Sequence, residues 1–210
     1  VINGRDPEVL NILLNFYSHP EGKILDVTCN KRRMWKGIDI DNVVFSDIDI
    51  SVDPDIVSNF CELPFPDSKF SIIVFDPPHL PAAAGSIKSL KHFVKNYGLN
   101  NTVSGDNIDS IFVPFLFEAK RILKDDGLIF AKLADFVHNH NYQWTLVSFI
   151  NAIRSINGLT PTDLIIKCDP SAGNLSSSKW ENCYHARRSF CWWVIVRKGK
   201  CEPDKNNIKR

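Results

Sequence analysis

Short, continuously apolar runs alternate along this chain with segments of helical spacing. Asp6-Pro7-Glu8 leads into Val9, Leu10, Leu13, Leu14 and Tyr17. A cap, a first-turn proline and a stripe of 3.6-residue period predict an amphipathic helix there. Residues 23–28 (Lys-Ile-Leu-Asp-Val-Thr) predict a buried strand with a polar end, and residues 42–47 predict a second that ends in carboxylates. Residues 70–76 predict a third strand, halted by Pro77-Pro78. Helical spacing over 111–123 is ended by Lys124-Asp125-Asp126-Gly127, and 128–133 follows at once as a strand. Another helix is predicted over 144–156, stopped by Asn157-Gly158, and strands over 163–167 and 191–196 follow. Strands that are apolar on both faces and alternate with helices predict an α/β, doubly wound, mostly parallel sheet of about seven strands with helices on both faces. Ligands bind such sheets at the carboxyl ends of the strands. Here those ends carry Asp26, Asp47 with Asp49, and Asp76.

Two polar stretches interrupt the scaffold. Residues 80–110, rich in Ala, Gly, Ser, Asn and Lys, exceed the usual connection in a compact domain and read as a lid or binding loop. Residues 169–190 form the second, holding Trp180, Tyr184, His185, Arg187 and Arg188. The segment 198–210 is basic and poor in apolar residues, so it reads as a disordered tail behind a single domain spanning 1–197.

Composition narrows the class. A chain of 210 residues suits one large domain, and 44% apolar with 23% charged residues is globular chemistry. No apolar run approaches the roughly 18 residues of a membrane span. No basic-then-apolar leader opens the sequence. The six cysteines form no Cys-x-x-Cys pair, which predicts reduced thiols, a cytoplasmic setting and no metal site. His138 and His140 read as loop residues. Net charge is only +1, yet residues 1–110 carry 10 basic against 15 acidic residues, and 111–210 carry 15 against 9. Such segregation suits a small-molecule site beside a polyanion-facing surface, and suits a solvated surface equally.

The sharpest chemistry is Asp76-Pro77-Pro78-His79 at the end of an apolar strand. Two prolines stiffen the turn and fix the carbonyls beside them. The Asp76 carboxylate and the Pro77 carbonyl then converge as acceptors, and His79 offers a flat ring. That set fits a planar base bearing an exocyclic amine: two acceptors hold the NH2 and reduce its conjugation, freeing the nitrogen lone pair to attack. Alone, the tetrapeptide also fits an ordinary strand-ending turn.

Its context resembles a known family. Leu63-Pro64-Phe65-Pro66-Asp67-Ser68-Lys69-Phe70, running into Asp-Pro-Pro-His, is similar to a stretch of class I S-adenosylmethionine-dependent methyltransferases. Within them it resembles the amino-methyltransferases of DNA, whose motif is Asp/Asn-Pro-Pro-aromatic. Glu118 to Leu128 is similar to the family's helix, Gly turn and fifth strand, and the resemblance extends over residues 6–197. It implies a Rossmann-like sheet, S-adenosyl-L-methionine as cofactor, and Asp76, Pro77, Pro78 and His79 as the catalytic set. It implies that the loop after Asp26, with Thr28, Cys29 and Asn30, cradles the methionine part of the cofactor. Asp47 or Asp49 is then the ribose acid, and Asn59 with Phe60 stands where the adenine is met. The family has glycines after its first strand; here Cys29-Asn30-Lys31-Arg32-Arg33 stands instead, and only Asn30 takes the left-handed conformation at small cost.

Methyl transfer to a nucleobase amine in nucleic acid is the function implied, with DNA (adenine N6 or cytosine N4) first. An RNA base is the alternative, as is a methyltransferase-like subunit without catalysis. Trp180, Tyr184, Arg187 and Arg188 supply stacking faces and phosphate-binding cations. Lys88 and Lys91 line the same groove or a solvated loop. No separate target-recognition domain is visible, which leaves room for a protein partner that selects the target. Lys31, Arg32 and Arg33 reach a phosphate or form a solvated turn.

Overall fold

A computed structural model of the chain describes residues 1–17, 22–77, 111–138, 141–168 and 190–199. In chain order the elements are β1 (Ile2–Asn3), α1 (Asp6–Phe16), β2 (Lys23–Asp26), β3 (Val43–Asp47), β4 (Ile56–Val57) and β5 (Phe70–Phe75). Then come α2 (Phe112–Ile122), β6 (Leu123–Leu133), β7 (Phe136–His138), β8 (Asn141–Gln143), α3 (Thr145–Ser155), β9 (Leu159–Cys168) and β10 (Phe190–Lys198). Eight strands form one sheet in the order β1-β9-β10-β6-β5-β2-β3-β4, and β7 pairs only with β8. β10 runs antiparallel to both its neighbours, while β2, β3, β4, β5 and β6 are parallel. The doubly wound, mostly parallel sheet expected from the sequence is the one observed, with eight strands rather than about seven.

The strand period of two explains the two core layers. All six residues of β5 are buried. Ile73 and Phe75 face a layer with Phe115 of α2 and Phe149 of α3, whereas Ile72 and Val74 face a layer with Leu10 and Leu13 of α1 and with Trp35. Trp193 of β10 is fully buried in this second layer.

Several boundaries differ from the sequence reading. Asp6 is the first helical residue and Arg5 the N-cap, with Glu8 Oε2 accepting the Arg5 N–H at 3.0 Å. Asp6 is thereby released for another task. β9 begins at Leu159 rather than Asp163, despite Pro161. The register with β10 shifts there, from Ile195 opposite Asp163 to Val196 opposite Pro161, and proline is tolerated at such a bulge. Lys198, read as the start of a tail, ends β10 and donates to the Leu123 carbonyl at 2.7 Å. His138 lies in β7 rather than a loop. Segments 78–110, 169–189 and 200–210 lie outside the described residues.

The segments carrying the family resemblance meet in space. Arg121 of α2 donates to the carbonyls of Leu63 (3.1 Å) and Phe65 (2.8 Å) and to Asp67 Oδ1 (2.7 Å). Glu118 Oε1 accepts the Leu63 N–H at 2.8 Å and pairs with Arg121 at 2.6 Å. The Arg121 bond holds the Glu118 carboxyl below its ordinary range. This clamp fixes the Leu-Pro-Phe-Pro-Asp turn, and with it the entry of β5.

Candidate active site

The chain leaves β2 in one direction, through β3 and β4, and returns through β5 and β6 in the other. The crevice between the carboxyl ends of β2 and β5 is therefore the switch point of the sheet, where open α/β sheets bind ligands. A cleft of about 870 Å³ opens there. Of the sequence-predicted residues it brings together Asp26, Thr28, Cys29, Asn30 and Asp76 on one wall.

Asp26 closes β2 and is buried, its Oδ1 accepting the Thr28 N–H at 3.0 Å and its Oδ2 the Trp35 indole N–H at 2.7 Å. Burial pushes its carboxyl up to about 7 against the pull of those two bonds, and the charges of Asp76 and Asp47 push the same way. Thr28 Oγ1 in turn accepts the Asp76 N–H at 2.8 Å, tying the ends of β2 and β5 together.

The loop after β2 does without glycine. Asn30 takes φ 45° and Arg32 φ 53°, both left-handed. Asn30 donates its backbone N–H to Asp47 Oδ2 at 2.8 Å. Arg32 is held by Asp55 Oδ1 at 3.0 Å and the Asp53 carbonyl at 2.9 Å, with its guanidinium 4.3 Å above the Phe45 ring. These contacts offset the steric cost of the left-handed arginine. Among the described residues, Lys31 and Arg33 line the cleft while Arg32 points into this clamp.

The other predicted cofactor residues stand off the wall. Asp47 lies one hydrogen bond behind Asn30, its Oδ1 accepting the Asp49 N–H at 3.0 Å. Asp49 caps a 3-10 turn through Ser51 N–H at 2.9 Å. Asn59 Oδ1 folds back on the Cys61 N–H at 2.9 Å. The Phe60 ring is in the core, edge-on to Phe75 and Phe115. Pro77 is buried at the end of β5. Pro78, His79, Lys88, Lys91, Trp180, Tyr184, Arg187 and Arg188 lie outside the described residues.

Two lysines that sequence reasoning passed over stand beside the wall, joined to Asp6 on it. Lys132, in the apolar run of β6, places its Nζ 3.2 Å from Asp76 Oδ2 and 3.0 Å from Asp6 Oδ2. Lys167, near the end of β9, places its Nζ 2.8 Å from Asp6 Oδ1. Both ammoniums are largely buried, at 13% and 11% side-chain exposure. Burial alone would lower the Lys132 ammonium; the facing Asp76 and Asp6 charges outweigh it and hold it above its ordinary value. The available signal was a lysine next to a run of apolar residues, Leu128–Ala131 before Lys132 and Leu164–Ile166 before Lys167, because a buried charge is kept only when paired. Among the described residues no group of three or more His, Cys, Asp or Glu is placed to hold a metal.

A switch-point cleft of this size falls within the about 300–1,000 Å³ of small-molecule sites. Its lining suits a ligand that carries both donors and an anionic group: acids at the ends of two strands, Asp26 and Asp76, and basic side chains at the mouth.

Comparison with solved structures gives relatives of fold only. TrmN from Thermus thermophilus is 12% identical, with a TM-score of 0.55 over 91% of this chain and 48% of that one. The chain thus spans about half the length of TrmN. An S-adenosylmethionine-dependent methyltransferase from Methanosarcina mazei is 13% identical, TM-score 0.51, covering 89% of this chain and 97% of that one. The Burkholderia thailandensis 1,6-didemethyltoxoflavin-N1-methyltransferase, with bound 1,6-didemethyltoxoflavin and S-adenosylhomocysteine, is 11% identical, TM-score 0.53, over 93% and 79%. No protein-family model and no curated protein matches the sequence. The sheet is that of the class I methyltransferase fold.

Proposed function

We propose that the chain is an S-adenosyl-L-methionine-dependent methyltransferase that methylates an exocyclic amine of a nucleobase in nucleic acid. The observation that carries this is Asp76, the acid of Asp-Pro-Pro-His, standing on the wall of the switch-point cleft. The bound cofactor supplies an electrophilic methyl group and departs as a neutral thioether. The loop 28–31 lies along the place of the cofactor, and Asp47 behind it fixes that loop through a charge-assisted bond from the Asn30 N–H.

Asp76 does the work on the substrate side. Its carboxylate has room for several hydrogen bonds. It accepts from the NH2 of the target base, turns the nitrogen lone pair toward the methyl group and stands ready to take the proton released once the new N–C bond has formed. The chain's contribution is orientation and the exclusion of water. A base inside a duplex must first be flipped out, so an unpaired or single-stranded target is the easier substrate. DNA is the first candidate because Asp-Pro-Pro-His resembles the motif of DNA amino-methyltransferases; RNA is the alternative, and a cofactor-binding subunit without turnover is the second reading.

The test is mass analysis of nucleosides after incubating the protein and labelled cofactor with DNA and with RNA. Wild type should yield a methylated amino base, and Asp76→Ala should abolish it while cofactor affinity by calorimetry stays within a few-fold. His79→Tyr should keep more activity than His79→Ala, because base stacking is worth about 1–3 kcal/mol. Full activity in Asp76→Ala would sink this mechanism.

A further inference from the structure

We propose that Lys132 is a positioning residue that keeps Asp76 ionised and aimed into the cleft, and that Asp6 sets how strongly it does so. This rests on the reading of Asp76 as the acceptor of the target amine. The geometry is a ladder of alternating charge: Asp76, Lys132, Asp6, Lys167, with successive contacts of 3.2, 3.0 and 2.8 Å. Four elements supply it, from β5, β6, the first turn of α1 and β9.

The ladder answers a chemical need. An ionised Asp76 accepts from the amine and leaves the nitrogen lone pair free. A protonated Asp76 donates to that lone pair and blocks the reaction. The other charges facing Asp76 among the described residues make ionisation costly: Asp26 from β2 lies close enough to act on it, Asp6 sits on the far side of Lys132, and the Cys191 thiol of β10 stands beside the same lysines. Lys132 is a cation in direct contact with Asp76. It also fixes the carboxylate in rotation through its contact with Oδ2. Asp6 divides the Lys132 charge between two carboxylates, and Lys167 holds Asp6 in place.

Two substitutions should act with opposite sign. Lys132→Met should raise the pH at which Asp76 ionises by about 1–3 units, the usual effect of losing a contacting opposite charge. Methyl transfer should then fall about tenfold or more at the acid end of the profile, recover toward alkaline pH, and be restored by Lys132→Arg. Asp6→Asn removes a negative charge and frees Lys132 for Asp76, so the acid limb should move down. A purely structural role would lower activity equally at every pH and give both variants the same sign.

A second readout is independent of turnover: the carboxyl carbon resonance of Asp76, assigned with Asp76→Asn and titrated in the whole protein, separates its ionisation from that of Asp26. An Asp76 titration unmoved in Lys132→Met overturns the proposal. Should Lys132→Met fail to fold, Asp6→Asn decides, and an unmoved Asp76 titration there overturns it equally. A wild type without methyl transfer overturns the functional reading instead, and the resonance still reports on the ladder.

Discussion

Asp47 and Asp49 both stand at the carboxyl end of β3, and the structure gives them different work. Asp47 latches the loop that follows β2, while Asp49 caps a 3-10 turn away from the cleft. Asp47→Ala should therefore weaken S-adenosylmethionine binding by about 1.5–3 kcal/mol, the cost of a lost charge-assisted bond. Asp49→Ala should leave it nearly unchanged, and calorimetry on the two variants decides; equal losses would mean that Asp49 faces the ligand. Asp26 gives a pH signature. Its carboxyl is pushed up to about 7 by burial, against an unfolded value of about 3.9. Between those values the folded state keeps a proton that the unfolded chain has lost. The stability this group adds is complete below about pH 4 and is lost as pH rises through about 7, at about 1.4 kcal/mol per unit of separation. Urea unfolding across that window should show wild type losing stability relative to Asp26→Asn. A constant offset between the two would mean that Asp26 is charged throughout.

At the scale of elements, the loop 28–33 shows how a missing glycine is replaced. Its two left-handed residues are held by Asp47 on one side and by Asp55 with Phe45 on the other. Removing the clamp and the strain separately is possible. Arg32→Ala loses the clamp and keeps the strain, whereas Arg32→Gly loses both. Arg32→Gly should be the more stable of the two by about 1 kcal/mol, read from denaturant midpoints. Equal midpoints would show the backbone relaxing out of the left-handed region once the clamp is gone. Sequence reasoning found the elements well here, because β2, β5, β6 and β10 are largely buried and β3 partly so, and all announce themselves as apolar runs. It missed β1 and β4, two residues each, since a strand that short carries no period. It began β9 late because Pro161 reads as a stop, and only the pairing with β10 reveals the bulge.

At the scale of the molecule, the location of the site was legible and its wiring was not. A switch point follows from strand order, and Asp26 and Asp76 were found because each ends an apolar run. Lys132 and Lys167 are each an isolated charge in such a run, and nothing local says that both turn to Asp6, 126 and 161 residues away. Phe60, which motif position places beside the adenine, has its ring in the aromatic core.

The place of β10 bears on how the protein is made. It is the last described strand in sequence, and it sits inside the sheet, between β6 and β9. On the ribosome, β5 and β6 emerge long before it, with one edge of β6 unpartnered. At about 5–20 residues per second, the interval from Leu133 to Phe190 is about 3–11 seconds. During that time β6 offers an open apolar edge, the kind of surface that templates mispairing. Nor can β9 carry Lys167 to Asp6 until β10 has seated it. The ladder beside the cleft is thus complete only once β10 has been made. A chain broken before residue 190 leaves an adhesive fragment rather than a weaker site.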